Sequence, residues 1–186
     1  MLEQQNKKGS FVSVDLENMM YSSADAGQVP EGYDLMEGFT NMFEWIKTFS
    51  RILCANIYLP VSQFGSDSLW HKIWKKYKDE FTIAFIHCPR KEPGIREKAD
   101  DVDAHLIYHS KQIVDILGSQ VKYFVLASGD RDYAEMLWGF RRKCIEIAFA
   151  LGSEKSFSQS YRRTGIVAKN PITGEDLIHY FSPRKD

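Results

Sequence analysis

Carboxylates recur in three short clusters that are far apart in the chain. They are Val14-Asp15-Leu16-Glu17-Asn18, Lys98-Ala99-Asp100-Asp101-Val102-Asp103 and Ser128-Gly129-Asp130-Arg131-Asp132, with Glu135 a weaker addition after the third. Each falls where an α/β pattern would end a strand or begin a helix. In an open parallel sheet the carboxyl ends of the strands converge on one crevice. Carboxylates gathered there repel each other unless protons or a cation neutralise them. A divalent-cation site is therefore the first chemistry to expect, and hard oxygen ligands favour Mg²⁺ or Mn²⁺.

The elements that must position these acids follow from hydrophobic spacing. Residues 11–16 read as a first strand and 19–32 as a loop. Leu35, Phe39, Met42, Phe43, Ile46 and Phe49 recur at helical spacing, which predicts a helix over 34–53 capped by Asp34. Strands are expected at 54–61, 81–88, 121–127 and 144–150, with helices at 67–77, 98–117 and 132–143. The 98–117 helix carries Val102, Leu106, Ile113 and Leu117 along one stripe. Beyond Gly152, an edge strand at Ile166-Val167 and a short helix over 175–181 are expected. The order is β-α-β-α-β-α-β-α-β. Near-continuous apolar strands such as Tyr123-Phe124-Val125-Leu126-Ala127 suit a parallel sheet covered on both faces. No repeat or linker divides the chain, so residues 1–186 read as one domain, with a core over about 11–151 and an extension over 152–186 packed on it.

Composition narrows the setting. The chain has 186 residues, 44% apolar and 26% charged, an ordinary globular balance. Its apolar runs are too short to cross a bilayer, and residues 1–10 lack the features of a signal peptide. Cys54, Cys88 and Cys144 are odd in number and widely spaced, which suggests reduced thiols and a cytoplasmic location. A net charge of −1 excludes a uniformly basic nucleic-acid binder. Basic residues are nevertheless grouped: Arg90, Lys91, Arg96 and Lys98; Lys72, Lys75, Lys76 and Lys78; Arg141, Arg142 and Lys143. Such groups around an acidic centre would attract a polyanion, and the plainer reading is solvated helix faces.

Each acid has a bland alternative. Asp15 interrupts the apolar residues Val12, Val14 and Leu16, and a carboxylate at the lip of a sheet is costly to desolvate alone. Asn18 could donate to a ligand water or a phosphate oxygen. Either residue could instead cap a turn. Asp130 and Asp132 straddle a helix start, where one acid suffices as a cap. Gly129 would permit a tight turn after the strand. Asp101 sits beside the core stripe at the first turn of its helix, while Asp100 and Asp103 share another face. His105 is a further candidate for the site, although a lone helical histidine is commonly structural. Tyr21, Tyr33, Trp70 and Tyr133 lie near loops or helix starts where they could stack on unpaired bases. Trp70 and Trp74, at helical spacing, are better read as packing.

Taken together, Val-Asp-Leu-Glu-Asn, Lys-Ala-Asp-Asp-Val-Asp and Ser-Gly-Asp-Arg-Asp-Tyr resemble the NYN family of PIN-like nucleases, most closely its LabA-like (DUF88) branch. The resemblance spans residues 11 to about 151. It implies a Rossmann-like, PIN-like three-layer α/β/α fold with a mainly parallel central sheet of about five strands. It also implies metal-dependent cleavage of RNA to a 5′-phosphate and a 3′-hydroxyl. By position it assigns Asp15, Asp101, Asp130 and Asp132 to metal binding and catalysis. It likewise matches Asn18, Lys98 and Ser128, which fall to the substrate; apart from the resemblance, Arg131 could offset phosphate charge there, and Asp103 and His105 are secondary candidates. Mg²⁺ or Mn²⁺ is the implied cofactor and single-stranded RNA the implied partner. A homodimer that lengthens the substrate groove is compatible. The chain departs from the pattern at Ala99, where glycine is usual, and at residues 107–109, where a further acid is usual.

Other classes fit less well. One is a catalytically inactive module of the same fold that binds RNA or protein. A haloacid-dehalogenase-like phosphatase would want Asp-x-Asp after the first strand, where Asp15-Leu16-Glu17 stands. A receiver-like regulator would want a lysine after the last strand, where Ala150-Leu151-Gly152 stands.

Overall fold

The computed structural model describes residues 8–23, 34–60, 67–88 and 101–181, with the backbone alone at 21–23, 60, 67–68 and 101. Six strands form one sheet: β1 (Gly9–Asp15), β2 (Ile52–Pro60), β3 (Thr82–Cys88), β4 (Val121–Ala127), β5 (Glu146–Leu151) and β6 (Ile178–Tyr180). Their order is β3-β2-β1-β4-β5-β6, and every neighbouring pair is parallel. This is the doubly wound arrangement, whose strand order reverses between β1 and β4.

Side chains of each strand alternate between two apolar layers. Val12 and Val14 of β1 join Tyr123, Val125 and Ala127 of β4 under α2 (Leu35–Lys47) and α3 (Asp67–Tyr77). Phe11, Phe124 and Leu126 face the opposite way, toward α4 (Asp101–Leu117) and α5 (Ala134–Arg142). Ser13 shares that second face and hydrogen-bonds Ser110 of α4 through their hydroxyls at 2.9 Å. The same alternation sends Asp15 and Ser128 to the α4/α5 side. The three-layer α/β fold expected from the sequence is the fold observed.

Local differences have physical causes. A helix, α1 (Leu16–Ser23), begins where a loop was expected. The Asp15 carboxylate accepts from the Asn18 N–H at 3.0 Å, capping the helix, and Leu16 and Met19 bury against the sheet. Helix α2 stops at Lys47, with Asp34 capping its start through the N–H groups of Met36 and Glu37. On α4, Val102, Leu106, Ser110 and Val114 are fully buried, and Ile113 and Leu117 are half-buried against the same core, so the expected stripe also takes in 110 and 114. Strand β5 starts at Glu146 rather than at 144, because Cys144 takes a left-handed turn conformation (φ 60°) after α5. Trp70 is buried against Phe39 and Phe85, whereas Trp74 is 42% exposed rather than packed.

The largest difference is in the extension. Residues 175–181 supply β6 instead of a helix, giving six strands where about five were expected. The open edge of β5 offers unpaired backbone groups, and these win over local helical pattern. Phe149 N–H donates to Leu177 O at 3.0 Å and Phe181 N–H to Leu151 O at 2.6 Å. Val167 forms only an isolated bridge to Ile147, and a six-residue helix, α6 (Gln159–Thr164), precedes it. Phe181 then inserts its ring over α2, edge-on to Phe39 at 5.8 Å between centroids. Gly38 leaves the space for it, since a Cβ there would overlap the Phe181 ring. No helix among the described residues is long and apolar enough to cross a membrane.

The seating of Phe181 makes the extension part of the core. Phe181→Ala is expected to lower stability by about 3 kcal/mol. In urea denaturation this appears as a lower midpoint at unchanged slope; a midpoint equal to that of the parent chain would show that the extension is dispensable.

Candidate functional site

The carboxyl ends of β1 and β4 meet at the reversal of strand order, where open α/β sheets bind ligands. A cavity of about 660 Å³ lies there. Asp15, Asp103 and Asp130 line it, from the end of β1, the first turn of α4 and the turn after β4. Glu17, Asn18 and Arg131 also border it.

Asp15 is the most constrained of these groups, at 5% exposure. One carboxylate oxygen accepts from Asn18 N–H. The other accepts from the Tyr133 hydroxyl at 3.0 Å and lies 3.5 Å from the Ser128 hydroxyl. Tyr133 is itself fully buried, in a 3-10 turn (Arg131–Tyr133) ahead of α5. Its hydroxyl also contacts the Asp103 carboxylate. A phenol carries one proton, so it cannot donate to Asp15 and Asp103 at once. Two carboxylates therefore compete for one phenolic proton.

The electrostatics follow from that geometry. Burial, ahead of all else, pushes the Asp15 carboxyl up from 3.8 to about 7. Hydrogen bonds from Asn18 N–H and Tyr133 oppose the rise, and the negative charges of Asp103 and Glu17 add to it. The Tyr133 phenol is held well above its ordinary range by burial and then by the two carboxylates. Near neutral pH Asp15 lies between its two charge states.

The turn after β4 is held as firmly. Asn18 accepts from Gly129 N–H through its side-chain oxygen at 3.2 Å, and Ser128 Oγ accepts from Asp130 N–H at 3.2 Å. Asp130 accepts from Asp132 N–H at 3.1 Å, so it caps the following turn as well as lining the cavity. Gly129 does not adopt positive φ, so a left-handed turn is not why it is glycine. A Cβ at 129 would collide with the Ser156 carbonyl, because the extension packs directly on this turn. Ser158 N–H donates to Gly129 O at 3.1 Å, and the Tyr161 hydroxyl donates to Asp130 O. Lys155, Ser156, Phe157 and Ser158 thereby form one wall of the cavity.

The structure gathers some of the expected residues and separates others. Asp15, Asn18, Asp103, Asp130 and Arg131 share the cavity, and Ser128 braces it from beneath. Asp132 does not line it; its carboxylate is exposed and lies 3.9 Å from Arg131 Nε. His105 also lies off the cavity, 5.6 Å from the ring of His109. Asp101 opens α4, and its side chain lies outside the described residues, as do Lys98 and the basic loop holding Arg90, Lys91 and Arg96. Neither of the other basic groups reaches the cavity: the lysines of α3 are exposed, and Arg141 and Lys143 pair with Glu146 and Asp115. Among the described residues, no three His, Cys, Asp or Glu side chains are close enough together to hold a metal ion.

Tyr133 and the 155–158 wall were not expected in these roles. Tyr133 was a candidate for base stacking, which its complete burial excludes; the side chain of Tyr21 and all of Tyr33 lie outside the described residues. The signal available in the sequence was that a buried tyrosine needs a partner for its hydroxyl. The wall had no local signal, since it reaches the site only by folding back over the turn after β4.

Comparison of the chain with models of known protein families gives no match, and comparison with curated protein sequences gives none either.

The raised Asp15 pKa sets a pH dependence. Between 3.8 and about 7 the native state holds a proton that the unfolded state has lost. Native stability therefore falls as pH rises through that window. Asp15→Asn lacks this slope. Without divalent cations, its melting temperature should match that of the parent chain near pH 4 and exceed it at pH 8. A gap of constant size from pH 4 to pH 8 would contradict the assignment.

Proposed function

We propose that the chain is a metal-dependent ribonuclease, hydrolysing phosphodiester bonds of single-stranded RNA at this acidic cavity. The supporting observation is that Asp15 and Asp103, 88 positions apart, meet at one Tyr133 hydroxyl at the strand-order reversal. Two carboxylates that meet at one phenol repel each other when both are ionised, and a divalent cation would offset that charge. The donor set fits Mg²⁺ or Mn²⁺, because Mg²⁺ is commonly held by one or two carboxylates, with waters and substrate phosphates completing its shell. Asp15 and Asp103 would hold the ion, and Asp130 borders the same cavity.

Such an ion, when bound, would lower the pKa of a coordinated water and offset charge on the attacked phosphate. The chain's own residues do the rest. The Tyr133 hydroxyl lies between the two carboxylates and orients one of them at a time, and Ser128 and the Asn18 N–H fix Asp15 from two further directions. Arg131 borders the cavity and offers positive charge to a phosphate. Asp132, turned to solvent, has no part in the ligand set of this reading.

A second reading, an RNA- or protein-binding module without cleavage, draws on Asp130, whose Oδ1 is already committed to the Asp132 N–H.

Cleavage of a labelled single-stranded RNA in Mn²⁺ separates the two readings. Asp15→Asn and Asp103→Asn should abolish Mn²⁺-dependent cleavage while circular dichroism shows an unchanged fold. Tyr133→Phe, which keeps the ring and loses the orienting proton, should lower activity by about 10–100-fold. Undiminished cleavage by Asp103→Asn would reject this ligand set. RNA binding with no cleavage by the parent chain would establish the module.

A further inference from the structure

We infer that the segment around Lys155 is a substrate-holding wall, and that Lys155 binds an RNA phosphate adjacent to the one cleaved. The inference rests on the nuclease reading for its substrate. It concerns a part of the chain outside the acidic clusters.

Three observations carry it. First, the cavity has a floor of acids and two basic groups at its border, Arg131 on the turn after β4 and Lys155 on the extension. An RNA strand carries a charge at every nucleotide, and the acidic floor repels each phosphate not matched by a cation. Basic groups at the border are where the flanking phosphates find compensation. Second, the segment is fixed in place. Phe157 and Tyr161 are buried against Phe149, with ring centroids 5.0 Å away in each case. Arg162 lies over the Phe157 ring and pairs with Glu154 at 3.2 Å. Ser158 N–H and the Tyr161 hydroxyl bond the backbone of Gly129 and Asp130. Third, the approach is close enough to require glycine at 129, so the height of the wall above the floor is set by backbone contact. Lys155 is thus an exposed cation on a rigid support beside the reacting centre. A cation carried on backbone already held in place orders less chain on binding than one on a mobile loop.

A phosphate contact away from the scissile bond holds ground state and transition state alike, so its loss raises KM and spares kcat. The experiment compares Lys155→Ala, Lys155→Arg and a charge-matched control, Lys122→Ala, which lies on β4 near its amino-terminal end. Mn²⁺-dependent cleavage gives kcat and KM, and fluorescence anisotropy with Ca²⁺ in place of Mn²⁺ gives RNA affinity across a salt series. Lys155→Ala should raise KM several-fold with kcat within about two-fold. Its affinity should depend less steeply on salt, by about 0.7 in the log–log slope for one lost single-strand phosphate contact. Lys155→Arg should restore most of the KM, and Lys122→Ala should match the parent chain. Lys155→Ala matching Lys122→Ala in both KM and salt slope overturns the inference and leaves the nuclease reading intact. A parent chain that binds RNA without cutting it overturns the nuclease reading, while the Lys155 contact is then judged by anisotropy alone. A parent chain that neither binds nor cuts RNA overturns both.

Discussion

A carboxylate buried at the end of the central strand governs the arrangement of this molecule. Asp15 ends β1, has almost no contact with solvent and is satisfied from three directions: the first turn of α1, the Ser128 hydroxyl and the Tyr133 phenol. Each partner belongs to a different segment. An ionised group withdrawn from water costs several kcal/mol unless its lone pairs are met. The chain around the β1–β4 junction is organised to meet them. The same carboxylate caps α1, which links the start of that helix to the electrostatics of the cavity.

The sheet order explains how such a site arises. With β1 and β4 adjacent at the centre, segments that follow them in sequence leave in different directions and open a crevice between them. Alternation along the strands then selects which residues face α4, and Ser13, Asp15 and Ser128 fall on that side. Helix α4 brings Asp103 by its amino-terminal turn, where backbone N–H groups tolerate negative charge. Against this rigid frame the extension adds both a sixth strand and a cavity wall. One stretch of chain thus extends the sheet and shapes the site, and Gly129 and Gly38 mark where it presses closest.

Much of the fold was legible from hydrophobic period alone. The runs at 121–127 and 81–88 read as strands because they are short, apolar and β-rich, and β4 and β3 form there, β3 starting one residue later at Thr82. The helix over 67–77 was legible because Leu69, Trp70, Ile73, Trp74 and Tyr77 recur at helical spacing. Helix α1 was not legible, since its stability comes from the Asp15 cap and from burial of Leu16 and Met19. Strand β6 was not legible either, because three residues become a strand only when a neighbouring edge is there to pair with. At the site, Asp15 and Asp130 stood out as acids at strand ends. Asp103 looked secondary because helical spacing says which face a residue lies on, not what a second helix brings to that face.

The sequence by itself determined the parallel α/β architecture and the placing of acids at the lips of β1 and β4, because both follow from short-range pattern. The tertiary structure decided which acids meet. Asp103 reaches Asp15 through Tyr133, Asp132 turns outward, and Lys155 arrives from a segment more than twenty residues beyond the third acidic cluster. The physical reason is that proximity across a sheet depends on the crossing of distant segments. No local preference of a residue for helix, strand or turn encodes the meeting of two distant carboxylates at one buried phenol.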